Sequence, residues 1–254
     1  MQADHLSDDE TRRYMRQLVI SPFNTKGQLA LKSSRVLVIG AGGLGSPVIA
    51  YLAAAGVGEI VIADPDTVSI SNLNRQIIYG VGDIGTSKAV AAADFAQRLN
   101  SNIRTVPLPE RIEEGTVEPL VRRCDIVVDG SDTIETRRTV AEACLWTNKV
   151  LVAGAVGQLE GLVTVFPPQG VRRPVGFDQI FPTDASSSDA SCSAIGTIGA
   201  VTGVIGSLMA METIKLLAQL GQSVSGRVIR YDALSGRLVE TALGGSRHRL
   251  LVGG

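Results

Sequence analysis

The chain has 254 residues, a formal net charge of −1, 44% hydrophobic residues and 19% charged residues. Such an even charge balance gives no reason to expect a nucleic-acid or membrane surface, and the hydrophobic content suffices for a globular core. Three cysteines and two histidines, without a CxxC pair, predict neither a structural zinc site nor a disulfide framework. Because the N-terminus is polar and does not resemble a signal peptide, we expect a cytoplasmic protein.

Strand-like and helix-like patterns alternate through the first part of the chain. An amphipathic helix is predicted over residues 8–18, with Ser7 as its N-cap, and a connector over 21–34 includes a helix around 26–31. Strands are then predicted at 35–39, 59–63, 102–106 (ended by Pro107), 125–128 and 149–153, and helices at 44–56, 86–99, 114–122 and 133–147. This alternation predicts an α/β fold with a Rossmann-like, doubly wound and mostly parallel sheet.

The pattern changes after residue 153. The remaining predicted elements are an alternating strand at 157–165, a Pro-, Gly- and Ser-rich loop at 166–191, a long apolar helix at 194–219, and strands at 226–231 and 237–242. The last two strands flank a turn and predict a hairpin, so the sheet gains an antiparallel C-terminal extension. We expect a single domain over 1–254, made of an N-terminal helical arm (1–34), a nucleotide-binding core (35–153) and this extension (154–254).

The long apolar helix raises the question of a membrane span. Residues 190–211 carry no charge and are long enough to cross a bilayer. Ser, Thr and Gly are frequent there, which favours a buried helix of an α/β protein instead. Its glycines at 196, 199, 203 and 206 recur at helical spacing, and the smooth face they form is expected to pack on the sheet or to form a homodimer seam.

The clearest functional signal lies between residues 36 and 75. A strand leads into GAGGLGS (Gly40–Ser46), an Ala-rich helix and a second strand that ends on Asp64. Glycines let the backbone approach a phosphate, and the helix N-terminus presents N–H groups to it. An acid about 20 residues further on can bind ribose hydroxyls. This unit predicts a nucleotide site, and taken alone it also fits an NAD-dependent oxidoreductase.

Polar residues beyond the loop favour a triphosphate. Arg75 offers a planar set of donors that suits phosphate oxygens. Lys88 begins a helix, where a cation opposes the helix dipole unless an anion lies nearby; a solvated surface lysine is the alternative. Asp132 follows the fourth strand at the sheet edge where ligands bind, and a carboxylate beside a triphosphate is a natural Mg²⁺ ligand. Asp129, in the same turn, is interpreted as a capping or turn residue.

Six motifs follow one another along the chain: RYMRQ (Arg13–Gln17), GAGGLGS (Gly40–Ser46), ADPDTVSISNLNRQ (Ala63–Gln76), the lysine of GTSKA (Lys88), DGSDT (Asp129–Thr133) and GVIGSLMAMETIKLL (Gly203–Leu217). In this order they resemble the ThiF/MoeB/HesA family, ubiquitin-activating-type enzymes that adenylate the C-terminal glycine of a small sulfur-carrier protein. The resemblance covers residues 11–242. It implies ATP and Mg²⁺ as cofactors, and as partners a ubiquitin-like carrier ending in Gly-Gly and a second copy of this chain.

The resemblance also implies roles for the matched positions. Asp64 would bind ribose, and Asp132 would hold Mg²⁺. The other implied nucleotide contacts are Gly40, Gly42, Gly43, Asp66, Ser71, Asn72, Leu73, Asn74, Arg75, Gln76, Lys88 and Thr133. Arg16 matches an arginine that the family supplies to the partner's ATP across a homodimer interface. Cys192 matches a cysteine that some members use in a covalent step with the carrier, and its alternative is a plain core residue.

The implied reaction explains the choice of residues. The carrier carboxylate attacks the α-phosphorus of ATP and gives an acyl-adenylate and pyrophosphate. Two anions must be brought together, and the positive charges implied for this are Arg16, Arg75, Lys88 and Mg²⁺. The predicted catalytic set is Arg16, Arg75, Lys88, Asp132 and Cys192. No general base is needed, because the carboxylate is already ionised near pH 7.

Two departures from the family pattern matter. Most ThiF and MoeB members carry two CxxC pairs that bind one zinc, whereas the matching stretches, 167–182 and 246–254, contain no cysteine. Zinc is therefore predicted to be absent. Thr133 also replaces an amide side chain in the turn after the fourth strand. The alternatives to adenylation are an NAD-dependent oxidoreductase and a non-catalytic nucleotide-binding module.

Overall fold

A computed structural model describes residues 5–168, 177–181 and 196–242. Within them, eight strands form one sheet in the order β3-β2-β1-β4-β5-β6-β7-β8. The strands are β1 (Arg35–Ile39), β2 (Glu59–Ala63), β3 (Arg104–Leu108), β4 (Ile126–Asp129), β5 (Val150–Gly157), β6 (Glu160–Phe166), β7 (Arg227–Asp232) and β8 (Arg237–Ala242). β1 to β5 pair in parallel, and β6 to β8 continue antiparallel from β5. The predicted fold class is therefore confirmed.

Helices cover both faces of the sheet. They are α1 (Asp8–Leu18), α2 (Asn24–Ser33), α3 (Gly45–Ala55), α4 (Lys88–Leu99), α5 (Glu114–Arg122), α6 (Ile134–Thr147), α7 (Phe177–Ile180) and α8 (Gly199–Ala218). One core packs α2, α3, α4 and α8 on the sheet, and a second core packs α5 and α6 on the other face. Coverage on both faces is what nearly continuous apolar strands such as β1 require.

Standard capping chemistry is seen at the start of α1 and at the end of α3. Ser7 accepts a hydrogen bond from the Glu10 N–H (3.2 Å), and Glu10 accepts one from the Ser7 N–H (2.8 Å), which is a capping box at the start of α1. Gly56 ends α3 with φ +86°, the left-handed conformation that glycine adopts at little cost. Ser7 was predicted as the N-cap from local sequence, because a cap acts over one helical turn.

The third strand is where the predicted boundaries fail most clearly. β3 runs over Arg104–Leu108, two residues later than predicted, and Pro107 lies inside it opposite Ile62. β3 is an edge strand, so the N–H that proline lacks is not required by a second neighbour. Pro107 would end a strand in the middle of a sheet. The sequence alone does not show that β3 lies at the sheet edge, because that depends on the strand order.

Two other boundaries also moved. β5 extends to Gly157 rather than residue 153, because β6 begins at Glu160 and pairs with the whole of its second half. The apolar helix α8 begins at Gly199, after the extended residue Ile198. The predicted start of that helix, at residue 194, and most of the predicted 166–191 loop lie outside the described residues.

α8 would pass as a membrane span by length and composition alone. In the structure it packs against α2, α3, β5 and β6, and Ile205 and Met209 are fully buried in the core beneath it. One side of the helix remains open, with Met211 exposed. The helix therefore belongs to the core, as predicted, although it is not surrounded on all sides.

The glycines of α8 divide into two groups. A Cβ at Gly206 would lie 2.3 Å from Pro47 Cγ and 2.7 Å from Leu44 O, and one at Gly199 would lie 2.3 Å from Asn74 O. A Cβ at Gly203 would meet nothing within 4 Å. Close packing is therefore found at Gly206, against the start of α3, and at Gly199, against Asn74, rather than on the sheet as expected. Gly203 faces open space, and Gly196 precedes the helix.

This difference gives a matched pair of variants. Gly206→Ala is expected to destabilise the protein by about 1–3 kcal/mol, because Leu44 and Pro47 belong to the segment that begins α3 and must shift. Gly203→Ala should instead leave stability unchanged or raise it by up to about 1 kcal/mol through helix propensity. Thermal unfolding followed by circular dichroism measures both, and equal effects of the two substitutions would contradict the packing described.

Candidate functional site

The carboxyl ends of β1, β2 and β4 open onto a cleft of about 470 Å³. Its lining includes eleven residues predicted to bind nucleotide: Gly40, Gly42, Gly43, Asp64, Asp66, Asn72, Arg75, Gln76, Lys88, Asp132 and Thr133. Ligands of open parallel sheets bind at this edge, where the order of the strands reverses. The sheet therefore gathers residues that are almost 100 positions apart in the chain.

The glycine loop forms one wall of the cleft. Gly40 has φ +82°, and a Cβ there would lie 2.9 Å from the Gly130 carbonyl oxygen, so the loop lies directly against the turn after β4. The backbone N–H groups of Gly42, Gly43 and Leu44 have no hydrogen-bond partner among the described residues. Unpaired N–H groups at the start of α3 form an anion-binding site.

Asp64 connects this loop to the end of β2. Its Oδ2 accepts a hydrogen bond from the Ala41 N–H (2.7 Å), and its Oδ1 accepts one from the Asp66 N–H (2.9 Å). Burial raises the pKa of the Asp64 carboxyl, while the charge of Lys88 and these two N–H groups act in the opposite direction. Each carboxylate oxygen can accept a further bond, so ribose hydroxyls remain acceptable partners.

The two predicted phosphate-binding cations, Lys88 and Arg75, also line the cleft. Lys88, the first residue of α4, is only 6% exposed, and its Nζ lies 2.8 Å from Asp66 Oδ2. The alternative of a solvated surface lysine is therefore wrong. Arg75 Nη1 donates to Ser71 O (2.9 Å) and Asn74 Oδ1 (3.2 Å).

The turn after β4 brings Asp132 to the cleft. Asp129 is buried, and its Oδ1 accepts from the Ser131 N–H (2.9 Å), which confirms its interpretation as a turn residue. Thr133 caps α6 by accepting from the Thr136 N–H (3.3 Å). Asp132, between them, is exposed and has no hydrogen-bond or ion-pair partner among the described residues. Its carboxylate is thus available to a ligand.

The residues of the cleft fit a nucleotide. Gln76 Oε1 and Ser131 Oγ are buried without a hydrogen-bond partner, although both residues line the cleft. Buried polar atoms without partners are rare in proteins, so a bound ligand would satisfy them. Among the described residues, no three His, Cys, Asp or Glu side chains cluster to hold a metal. Mg²⁺ commonly uses one or two carboxylates plus substrate phosphates, so Asp132 fits that ion together with a nucleotide.

Some predicted site residues are not brought to the cleft. Leu73 packs against the core, and neither Ser71 nor Asn74 lines the cleft; both instead hold Arg75. Arg16 is exposed on α1, away from the cleft of its own chain. Cys192 lies outside the described residues.

The two described cysteines have no place in the cleft. Cys124 and Cys144 are buried in the second core. Burial raises the pKa of both thiols, to about 11 for Cys124, so they remain protonated near neutral pH. Both cysteines therefore serve in packing.

Sequence reasoning missed two residues that organise the cleft. The Tyr79 hydroxyl lies 2.8 Å from Ala41 O and 3.1 Å from Lys88 O, so it joins the glycine loop to the start of α4. Arg137, the fourth residue of α6, lines the cleft and is only 4% exposed. A cation near the start of a helix was the signal that singled out Lys88, and the same signal could have found Arg137.

A glycine loop at a helix N-terminus, buried cations and a free carboxylate at one sheet edge define a nucleotide-binding α/β protein. Residues 14–250 match the ThiF family. The chain therefore belongs to the ThiF family.

Three curated relatives illustrate the match. "Adenylyltransferase and sulfurtransferase MOCS3" of Bos taurus is 43% identical over 232 residues, which are 91% of this chain and 50% of that protein. "Molybdopterin-synthase adenylyltransferase" of Salmonella typhimurium is 38% identical over 94% of each chain. "SAMP-activating enzyme E1" of Haloferax volcanii is 39% identical, covering 90% of this chain and 84% of that one. The chain thus spans about half the length of the MOCS3 relatives and most of the other two.

Solved structures share the fold at lower identity. PaaA superposes with a TM-score of 0.80 at 21% identity, over 98% of this chain and 77% of that one. E. coli MccB with ATP superposes with a TM-score of 0.74 at 19% identity, over 96% and 73%. These likenesses support the architecture alone.

Proposed function

We propose that this protein uses Mg²⁺ and ATP to adenylate the C-terminal glycine carboxylate of a small ubiquitin-like sulfur-carrier protein that ends in Gly-Gly. The products are an acyl-adenylate and pyrophosphate, and the activated carrier serves sulfur transfer in cofactor or metabolite biosynthesis. One observation carries the proposal: the buried Lys88 and the unpaired carboxylate of Asp132 line the same cleft as the glycine loop. The names of the Salmonella and Haloferax relatives support the choice of substrate class.

Each wall of the cleft has a role in this proposal. The free N–H groups at the start of α3, with Lys88 and Arg75, bind the phosphates, and Asp64 binds the ribose. Asp132 holds Mg²⁺, which supplies further neutralisation of phosphate charge when bound. These groups allow a carboxylate to approach the α-phosphorus of ATP despite the negative charge on both reactants.

Both cations have exchangeable partners in the free protein. Asp66, which pairs with Lys88, is 61% exposed at its side chain, so water can solvate its carboxylate when the ammonium turns to phosphate. Arg75 donates to one backbone carbonyl and one amide oxygen, neither of which carries a charge. A triphosphate can therefore displace these contacts, because charge-assisted hydrogen bonds are the stronger ones.

ATP–pyrophosphate exchange with carriers that end in Gly-Gly tests the proposal. Exchange should require the carrier, and a carrier without its last glycine should not support it. Exchange that persists in Cys192→Ala would place any thiol step after adenylation. ATP binding without exchange by any carrier would indicate the non-catalytic module, and tight NAD binding without exchange would indicate the oxidoreductase.

We also propose that the protein acts as a homodimer in which Arg16 reaches the partner's cleft. Arg16 is exposed on α1 beside the exposed apolar residues Met15, Val19 and Ile20. Its position away from its own cleft agrees with a role in a second copy. The most common soluble oligomers are two-fold dimers, in which each copy can complete the other's site.

Co-expression of two inactive variants tests this arrangement. Arg16→Ala keeps an intact cleft, and Asp132→Ala keeps Arg16, so a mixed dimer contains one complete site. Random pairing should restore about a quarter of the wild-type exchange activity. If the mixture is no more active than either variant alone, Arg16 does not act across subunits. Sedimentation of each variant confirms that dimers form.

A further inference from the structure

Arg137 is a buried cation that the proposed reaction leaves without a role. The residue is 4% exposed, and no carboxylate among the described residues forms an ion pair with its guanidinium. Burying a charge without a counterion is costly, so its retention requires compensating contacts. The question is what these contacts hold in place.

The guanidinium contacts three separate parts of the fold. Nη1 donates to Gly154 O in β5 at 2.7 Å, and Nη2 donates to Ser131 O in the turn after β4. The ring of Phe181, next to α7, lies under the guanidinium with its centroid 5.1 Å from Cζ. A planar guanidinium can serve two carbonyls and one aromatic face together, which a lysine ammonium cannot reproduce.

The contact between Arg137 and the Ser131 carbonyl matters because of where Ser131 lies in the turn. Ser131 immediately precedes Asp132, and its side-chain oxygen has no partner of its own. Asp132 has no partner among the described residues either, so the turn must be fixed through its backbone. Three hydrogen bonds do this: the Gly130 N–H donates to Ile39 O (2.9 Å), the Ser131 N–H donates to Asp129, and the Ser131 carbonyl accepts from Arg137. Arg137 thus clamps the residue before the proposed Mg²⁺ ligand to the neighbouring strand β5.

We infer that Arg137 is a positioning residue that sets the orientation of Asp132 for Mg²⁺-bound ATP. This inference rests on the proposed function. Groups that orient a metal ligand without touching the metal commonly contribute 10- to 100-fold to metal affinity, roughly the effect expected here. Because Arg137 acts through Asp132, its loss should weaken the Mg²⁺-dependent part of ATP binding and leave the rest nearly intact.

Calorimetric titration of ATP, with Mg²⁺ and with EDTA, tests the inference without relying on turnover. In Arg137→Met and Arg137→Lys, the dissociation constant of ATP with Mg²⁺ should rise about 10-fold or more, whereas that without Mg²⁺ should change by less than about threefold. The lysine variant keeps the charge, so its failure to restore binding would separate geometry from electrostatics. In an Asp132→Ala background, replacing Arg137 should cause no further loss, because coupled residues are not additive.

Arg138→Met is the matched control. It removes the adjacent arginine of the same helix, which pairs with Asp178 at 3.0 Å outside the cleft, and it should bind ATP like the wild type. Thermal unfolding of each variant checks the fold, and the lysine variant carries the test if the methionine variant does not fold. The inference is overturned if Arg137→Lys retains wild-type Mg²⁺ dependence, if both dissociation constants rise equally, or if the double variant is additive. If the wild-type protein catalyses ATP–pyrophosphate exchange but the Arg137 variants show no selective loss of Mg²⁺-dependent ATP binding, only this inference is overturned. If the wild-type protein catalyses no exchange, the proposed function is overturned.

Discussion

Replacing Lys88 by methionine is expected to lower ATP–pyrophosphate exchange by about 100- to 1,000-fold, because it removes the buried cation that the proposed function assigns to the phosphates. Lys88 is 6% exposed, so its ammonium acts where water does not screen it fully. Methionine retains the apolar stem of the side chain and leaves the packing at the start of α4 largely intact. The loss should therefore fall on nucleotide binding and turnover rather than on folding.

The partner of Lys88 makes this separation possible. Asp66 is 61% exposed at its side chain, so its carboxylate returns to water when the ammonium is removed. No buried charge is left unpaired, and the pair itself is worth little at so exposed a carboxylate. Thermal unfolding of Lys88→Met should accordingly stay close to that of the wild type.

Lys26→Met provides the control for the loss of a positive charge. Lys26 is exposed on α2 and does not line the cleft. Its replacement should leave exchange unchanged. If Lys88→Met and Lys26→Met catalyse ATP–pyrophosphate exchange equally well, Lys88 does not bind the triphosphate. The observation on which the proposed function rests would then no longer support it.

Local sequence was sufficient for the features that depend on a few adjacent residues. The glycine loop, the N-cap at Ser7 and the turn made by Asp129 each act within one turn of chain. Lys88 was also found locally, because a lysine that begins a helix conflicts with the helix dipole. Such conflicts mark sites where a ligand supplies the missing charge.

Features that depend on tertiary neighbours were not predictable in this way. Pro107 is acceptable within β3 only because that strand lies at the sheet edge. Arg137 gains its role from carbonyls in β5 and in the turn after β4, and Tyr79 from carbonyls of Ala41 and Lys88. In the SNLNR motif, Asn72 and Arg75 line the cleft, whereas Ser71, Leu73 and Asn74 do not. Adjacency in a motif therefore does not imply a shared site.

The glycine loop has two separable functions, one in the packing of α3 and one at the nucleotide. Gly45→Ala is expected to lower the free energy of unfolding by about 3 kcal/mol or more, at the upper end of overpacking effects. Its Cβ would lie 1.9 Å from Gly40 O and 2.8 Å from Gly40 C, and these backbone atoms cannot move without displacing the turn between β1 and α3. Gly45 thus allows α3 to begin where it does.

Gly42→Ala should have the opposite profile. Its backbone φ is not in the left-handed region, and the nearest atom to an added Cβ is Gln76 Nε2, at an ordinary contact distance of 3.6 Å. The variant should fold like the wild type, and it can gain up to about 1 kcal/mol through a less flexible unfolded chain. The added methyl group, however, enters the cleft beside the free N–H groups of the loop.

Nucleotide titration and thermal unfolding of the two variants decide between these functions. Gly42→Ala should bind ATP about 100-fold more weakly, because a displacement of the phosphates by about 1 Å carries effects of this size. For Gly45→Ala, the expected effect is a lower unfolding temperature, so its main defect is in folding rather than in ATP binding. Normal ATP binding by a folded Gly42→Ala protein would mean that the phosphates do not lie against the loop. The cations at Lys88 and Arg75 would then have to bind a different anion, since they line the same cleft as Gly42.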